Sequence, residues 1–119
     1  MEKVNINKKL GLIDEYWQPK IVGELNGQCV KLVKLKGEFI WHHHEAEEEL
    51  FLVIKGPLTI KLRNQDVNLD DGEFFIIPRG VEHKPVAEKE AHVLLFEPIS
   101  TLNTGNVRNE KTVTDPEMI

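Results

Sequence analysis

Three consecutive histidines precede a run of glutamates in the segment WHHHEAEEELFLVIKG, residues 41–56. Side chains alternate between the two faces of an extended strand, so His42 and His44 share one face and His43 points to the other. If the next four residues form a hairpin loop, Glu49 pairs across the hairpin with His44 and lies on the same face. The segment then brings together two imidazoles and one carboxylate, a typical donor set for a divalent metal.

Two interpretations of this segment remain open at this point. It is equally compatible with a solvated edge strand on which histidines and glutamates face water, because histidine clusters mark metal sites in only some proteins. A further histidine, His83, follows the turn Pro78-Arg79-Gly80 in the segment GEFFIIPRGVEHKP. Taken alone, His83 is an ordinary loop histidine with no special role.

The rest of the chain consists of short segments of strand character that are separated by turn signals. Asn26-Gly27, between KIVGEL and QCVKLVKL, predicts a hairpin because this dipeptide favours the positive φ angles of a type I′ turn. Further strands are predicted in LTIKLR, VNL, EFFIIP and AHVLLFE. Only NKKLGLIDEYW near the start has helical spacing. These features predict an all-β sandwich or barrel with at most one short N-terminal helix.

Length and composition indicate one globular domain. The chain has 119 residues, of which 40% are hydrophobic and 29% charged, so we expect a single domain over residues 1–119. Its polar C-terminal segment, residues 100–119, is predicted to lie along the outside of the fold or to fray. The net charge of −5 argues against nucleic acid as a partner. Glutamates flank Lys31, Lys34 and Lys36, which we therefore predict to lie on a solvated strand face.

Several features predict a cytoplasmic protein without a membrane partner. The longest apolar run, residues 50–54, is too short to cross a bilayer. The start of the chain, MEKVNINKKL, lacks the apolar segment of a secretory signal. Cys29 is the only cysteine, so an intramolecular disulfide is impossible. We expect this cysteine to be a small buried hydrophobic residue rather than a reactive thiol.

The two histidine segments together resemble the paired motifs of the cupin family. The first motif is written G-x5-H-x-H-x3,4-E-x6-G and corresponds to Gly37, His42, His44, Glu49 and Gly56, with the leading glycine one residue closer than usual. The second motif is written G-x5-P-x-G-x2-H-x3-N and corresponds to Gly72, Pro78, Gly80 and His83, with Ala87 in place of the asparagine. The resemblance covers residues 37–87 and is specific because both motifs occur in the right order and spacing.

This resemblance implies a small jelly-roll β-barrel with one divalent transition metal per chain. The family's ligand positions correspond to His42, His44, Glu49 and His83. Three nitrogen donors and one oxygen donor suit Fe, Mn, Ni, Cu, Co or Zn, and leave one or two positions open on a six-coordinate ion. Cupins with this ligand set include dioxygenases, sugar-phosphate isomerases and decarboxylases, and the fold does not choose among them.

Two classes of function follow from the resemblance. The first is a metal-dependent oxygenase or isomerase that acts on a small polar molecule. The second is a non-catalytic barrel that binds a metal and a small ligand as a sensor, carrier or storage protein.

Other side chains near the predicted ligands are candidates for the wall of a pocket. By alternation from Glu49, Phe51 and Val53 face the interior of the barrel. His92 lies on the last predicted strand, where it either lines the barrel or is an ordinary core or edge histidine.

The opposite face of the predicted strand at residues 49–55 suggests self-association. Leu50, Leu52 and Ile54 form an apolar stripe there, which is exposed unless a second sheet or a second subunit covers it. We therefore expect a homodimer.

Overall fold

The computed structural model describes residues 1–119 and contains one short helix and seven strands. The helix, α1, covers Ile6–Leu10. The strands are β1 (Lys20–Leu25), β2 (Gln28–Glu38), β3 (Glu49–Lys55), β4 (Leu58–Leu62), β5 (Asp66–Leu69), β6 (Phe74–Ile77) and β7 (His83–Pro98). This architecture confirms the all-β prediction. No helix of the protein has the length and apolar character that a membrane span requires.

The strands form an antiparallel jelly roll that is organised around the long strand β7. The order β1-β2-β7-β3-β6 runs along one path, and β4 pairs with both β5 and β7. On one side, the first part of β7 pairs with β4 and the second part pairs with β3, while β2 pairs with residues 86–98 of β7. Because β7 pairs with β2, β3 and β4, it brings residues from distant parts of the sequence to the same interior.

The hairpin between β1 and β2 forms as predicted. Asn26 has a φ of +50° and Gly27 a φ of +77°, which are the positive values that a type I′ turn requires. The N-terminal helix is shorter than the segment with helical spacing, because Gly11 follows its last residue as the C-cap. Leu10 at the end of α1 packs with Ile13 against the outer side of β2, next to Leu32.

The main hydrophobic core fills the interior of the barrel. On β3 the buried residues Glu49, Phe51 and Val53 alternate with three half-buried ones, as period-2 spacing predicts. The half-buried set comprises Leu50, Leu52 and Ile54. Ile54 packs against the small cluster beneath α1. The apolar stripe is therefore partly covered within the chain.

The predicted hairpin between the histidine segment and β3 is wrong. Residues 39–48 contain no strand, and the single bridge at His42 pairs this residue with His83 rather than with Phe51. The backbone groups of His42 exchange hydrogen bonds of 3.1 and 2.9 Å with His83, and the carbonyl of His44 accepts from the N–H of Gly80. These bonds satisfy the backbone of the segment, which leaves β3 free to pair with β6 and β7.

The prediction of a solvated lysine face is wrong for Lys31. This side chain is only 2% exposed and forms an ion pair of 2.9 Å with Glu97, which is equally buried. Lys34 is half-buried and donates to the carbonyl of Ile13, and Lys36 alone is exposed. Lys31 lies inside because Cys29 and the other residues in phase with it on β2 are core residues.

The C-terminal segment lies against the outside of the barrel. The N–H of Asn106 donates to the carbonyl of His43, and the N–H of His43 donates to Oδ1 of Asn106. Further along, the N–H of Ile119 donates to the carbonyl of Ile21 in β1. The segment therefore fixes the loop that carries the histidines, in addition to covering the barrel.

Candidate metal centre

The side chains singled out by the two motifs converge inside the barrel. The potential donor atoms of His42, His44, Glu49 and His83 all lie within 4.8 Å of one another, and all four side chains are buried. Nε2 of His44 and Nε2 of His83 each lie 3.4 Å from Oε1 of Glu49. Donors that bind one ion at about 2.1 Å are themselves separated by roughly 3.0–3.4 Å. The cluster therefore has the dimensions of a shared metal site.

Backbone pairing explains why residues far apart in sequence meet here. The bridge between His42 and His83 places their rings side by side, with centroids 4.2 Å apart. His44 follows two residues later, and Glu49 is the first residue of β3. His43 lies outside the cluster, and its ring contacts the carboxylate of Glu45 instead. Alternation along the segment thus separates the three histidines as the sequence predicts.

Backbone carbonyls fix the tautomer of two of the imidazoles. Nδ1 of His42 lies 2.9 Å from the carbonyl oxygen of Ile40, and Nδ1 of His83 lies 2.9 Å from that of Val81. A carbonyl can only accept, so each Nδ1 carries the proton and each Nε2 keeps its lone pair. Both Nε2 atoms are thus prepared as metal donors, in the arrangement that is typical of metal-binding histidines.

Several buried donor atoms of the cluster have no hydrogen-bond partner in the protein. They are Nδ1 and Nε2 of His44, Oε1 of Glu49 and Nε2 of His83. A buried polar atom without a partner costs about 1–3 kcal/mol. A cation bound between these atoms would satisfy three of the four, so the donor set fits a divalent metal ion.

The electrostatics of the cluster also suit a cation. Burial and the neighbouring His83 lower the pKa of His42 to about 4, so this imidazole is neutral at neutral pH. Burial opposes ionisation of Glu49, yet the contacts with His44, His83 and Glu97 outweigh it and hold the pKa of Glu49 well below its usual range. The site therefore presents an anionic carboxylate and a neutral imidazole, which are the forms that bind metals.

A cavity of about 40 Å³ adjoins the cluster and has His42 and Glu49 in its wall. Most of the remaining wall is apolar and comprises Val33, Leu35, Phe39, Phe51 and Leu95. Among the lining residues, Trp17 and Asn103 are half-buried while the others are buried. The cavity therefore reaches the surface beside Trp17 and Asn103.

Of the three predicted pocket residues, only Phe51 lies in the wall of this cavity. Phe51 lines the cavity, whereas Val53 lies in the hydrophobic core and is not part of the wall. His92 lies on the outer face of β7, because its neighbours Ala91 and Val93 are the residues that point inward. His92 therefore lies outside the cavity, on the outer face of a strand that is paired on both sides.

His92 belongs to a surface cluster with a testable pH dependence. Its contact with Glu90, together with the hydrogen bond from Tyr16, lowers the pKa of Glu90 from 4.5 to about 2. A carboxyl with a lowered pKa stabilises the fold above its unfolded pKa, and this contribution is lost as the pH falls through the folded value. We expect Glu90→Gln to lower the melting temperature near pH 7 and to have little effect near pH 2. Equal effects in thermal unfolding at both pH values would contradict this assignment.

Two residues beside the site were missed by the sequence analysis. Glu97 lines the cavity, and the buried Lys31 holds its carboxylate from behind. Strand alternation could have predicted that both side chains face inward, because Lys31 lies two residues from the core residue Val33 and Glu97 lies two residues from Leu95. Burial and the Glu49 carboxylate raise the pKa of Glu97 well above its usual range, while Lys31 opposes this shift.

The fold and the site together define a small β-barrel with a buried cluster of three histidines and one glutamate beside an apolar cavity. The family model described as Cupin domain matches residues 31–97. The chain belongs to the cupin family.

Solved structures with this fold include two from bacteria. A cupin-2 domain containing protein from Shewanella frigidimarina is 43% identical, with a TM-score of 0.79, and the match covers 80% of this chain and 93% of that one. Protein NMB1881 from Neisseria meningitidis is 30% identical, with a TM-score of 0.75, and the match covers 82% of this chain and 99% of that one.

Curated relatives match over part of their length only. YdbB of Bacillus subtilis, an uncharacterized protein, is 36% identical over 64 residues, which is 53% of this chain and 57% of YdbB. The 3-hydroxyanthranilate 3,4-dioxygenase of Xenopus laevis is 28% identical over 101 residues, which is 79% of this chain and 36% of the dioxygenase. The match thus spans less than two thirds of each of these relatives.

Proposed function

We propose that the protein is a metal-dependent enzyme that oxidises a small molecule with dioxygen, with His42, His44, Glu49 and His83 as the metal ligands. The observation that carries this proposal is the buried donor set, which opens onto an apolar cavity rather than being closed by a further protein ligand. Open positions on the ion are what distinguish a catalytic metal from a structural one.

The residues of the chain have separate tasks in this proposal. A bound transition metal supplies Lewis acidity and, where it is redox-active, access to dioxygen chemistry. The histidines hold the metal through neutral nitrogens, and Glu49 offsets one of its positive charges. Phe51 and the other apolar side chains of the wall limit the entry of water, which strengthens electrostatic interactions within the site.

The relatives favour oxidation over isomerisation. The 3-hydroxyanthranilate 3,4-dioxygenases of Xenopus laevis and Xenopus tropicalis match 79% of this chain at 28% and 30% identity. The solved structure of a putative sugar phosphate isomerase from Acidithiobacillus ferrooxidans is 20% identical and so supports the fold alone. Oxygen-dependent chemistry is therefore the first activity to test.

The test is oxygen consumption by protein that has been loaded anaerobically with Fe(II), Mn(II) or Zn(II). The substrates are 3-hydroxyanthranilate and simpler hydroxylated aromatic acids, and a His44→Ala variant is the control. We expect oxygen uptake with a redox-active metal and none with Zn(II) or with the variant. Conversion of a substrate by the Zn(II) form without oxygen, followed by chromatography of the product, would contradict an oxidation and favour an isomerase. Stoichiometric metal binding without any turnover would indicate a non-catalytic binding protein.

We also propose that the chain forms a homodimer through the outer face of β3 and β6. Phe74 is 60% exposed and Ile76 is 48% exposed, and they pair with the half-buried Leu52 and Leu50 across the two strands. A contiguous apolar face of this kind is typical of an interaction surface. Light scattering should give the mass of a dimer for the wild type and of a monomer for a Phe74→Lys/Ile76→Lys variant. A monomeric wild type would contradict the proposal.

A further inference from the structure

A second carboxyl group lines the cavity, near the end of β7 and in contact with the predicted metal ligand Glu49. Glu97 is 2% exposed and lies on the inner face of β7, where Cys29 of β2 is its partner in register. It is the one charged residue in the cavity wall besides the predicted ligand Glu49. The two carboxyl groups are close enough to influence each other's ionisation.

Lys31 fixes the orientation of this carboxylate. Its Nζ lies 2.9 Å from Oε1 of Glu97, and both side chains are almost completely buried. A buried ion pair contributes little to stability, because removing two charges from water offsets much of their mutual attraction. Apolar residues in place of Lys31 and Glu97 would be compatible with the same barrel. The pair therefore calls for an explanation other than stability.

The second carboxylate oxygen provides that explanation. Oε1 of Glu97 accepts a hydrogen bond from Lys31, whereas no protein group donates one to the buried Oε2, and the carboxyl group also contacts that of Glu49. Because Glu97 forms part of the cavity wall, a molecule in the cavity is in a position to satisfy this oxygen. A buried, rigidly held polar atom in an otherwise apolar pocket is the usual means by which a binding site selects one functional group.

We propose that Glu97, held by Lys31, is the specificity-determining residue of the cavity and forms a hydrogen bond through Oε2 to a hydroxyl group of the bound substrate. This inference rests on the proposed function, since it places the substrate between Glu97 and the metal. A hydroxyl group can donate a hydrogen bond to an ionised Glu97 and accept one from a protonated Glu97. It therefore pairs with either form of the carboxyl group.

The rest of the cavity constrains the substrate further. Phe39, Phe51 and Leu95 require an apolar body, and the metal requires a second polar group that can bind to it. The cavity of about 40 Å³ has room for the equivalent of roughly three water molecules. A larger substrate must therefore extend past Trp17 and Asn103 into solvent. The substrate class is a small amphipathic molecule with a metal-binding group and a separate hydroxyl group.

Two pairs of metal-binding probes test this inference, because the members of each pair differ only in one hydroxyl group. They are glycolohydroxamate against acetohydroxamate, and salicylhydroxamate against benzohydroxamate. Calorimetric titration would give their affinities for Zn(II)-loaded wild type and for the variant Lys31→Met/Glu97→Leu. This variant removes both charges together, so it leaves no unpaired ion in the core. Zn(II) content and thermal unfolding are measured first in each protein.

We expect the hydroxyl group to strengthen binding by about tenfold or more in the wild type, for at least one pair, and to have no such effect in the variant. If the double variant does not fold, Lys31→Met/Glu97→Met replaces it, and the advantage of the hydroxyl group should again be lost because no carboxyl group remains to pair with it. If the hydroxyl group changes affinity equally in the wild type and the variant for both pairs, the proposed role of Glu97 is wrong. The proposed metal centre is not affected by that outcome. A wild type that binds no Zn(II) would overturn the proposed metal centre as well.

Discussion

A Glu49→Gln variant should bind divalent metal at least about a hundredfold more weakly than the wild type. Residues that only support a metal ligand already contribute about 10–100-fold to affinity, so the loss of a charged ligand should cost more. Glutamine has the same shape, and it can occupy the position between His44 and His83 at the start of β3. The expected loss therefore comes from the missing negative charge rather than from altered packing.

Thermal or chemical unfolding with and without metal measures this effect. A ligand present at a thousandfold excess over its Kd stabilises the folded state by about 4 kcal/mol, whereas a tenfold excess gives about 1.4 kcal/mol. At one fixed metal concentration, the wild type should show the larger stabilisation and Glu49→Gln the smaller one. Comparing each protein with and without metal separates this effect from any change in the stability of the metal-free fold.

The matched control is Glu48→Gln, which changes the preceding glutamate. Glu48 is exposed and lies 4.0 Å from Arg79 at the surface, so its replacement should leave metal-dependent stabilisation unchanged. Equal stabilisation of Glu49→Gln and the wild type would exclude Glu49 as a metal ligand.

A Gly105→Ala variant should damage the site from outside the barrel. A Cβ at this position would overlap the carbonyl oxygen of His43, approach its carbonyl carbon to 2.9 Å and lie 3.2 Å from Cδ2 of His42. Gly105 also has a φ of +56°, which is unfavourable for alanine. The loop between His42 and His44 would have to move, and these are two of the four predicted ligands.

We expect this variant to lose about 1–3 kcal/mol of stability and to bind metal more weakly. The control is Gly23→Ala, because a Cβ there meets no atom within 4 Å and the residue has an ordinary φ. Unfolding free energies and metal affinities of both variants are the measurements. Wild-type metal affinity in Gly105→Ala would show that the C-terminal segment does not position the histidines.

Alternation along the chain correctly predicted that His42 and His44 share one face, because it depends only on backbone geometry, whereas the hairpin that was used to add Glu49 does not form. The separation of His43 from its two neighbours holds although the segment is not a strand, since an extended backbone alternates in the same way. His83 could not be included on this basis, because its proximity to His42 results from pairing between distant segments. The motif resemblance supplied what local geometry could not.

The two wrong predictions, the hairpin with β3 and the solvated Lys31, both concern contacts between segments that are distant in the sequence. The histidine segment was assigned to a hairpin with β3, yet its backbone found partners in His83 and Gly80. Local sequence favours extended structure but does not determine which segment provides the hydrogen bonds. A second error concerns Lys31, for which the flanking glutamates favoured a solvent-exposed side chain. Alternation along β2 instead places this side chain inside the barrel. The role of the C-terminal segment at the histidine loop left no pattern in the sequence.

The most direct test of the metal centre is the metal content of untagged protein, measured by plasma mass spectrometry beside two single variants. We predict about one divalent transition metal ion per chain in the wild type and in His43→Ala, whose side chain points away from the cluster. His44→Ala, at the next position of the same segment, should contain almost none. The absence of metal from all three proteins after anaerobic loading with Fe(II) or Mn(II), or equal content in the two variants, would contradict the assignment of these residues as a metal centre.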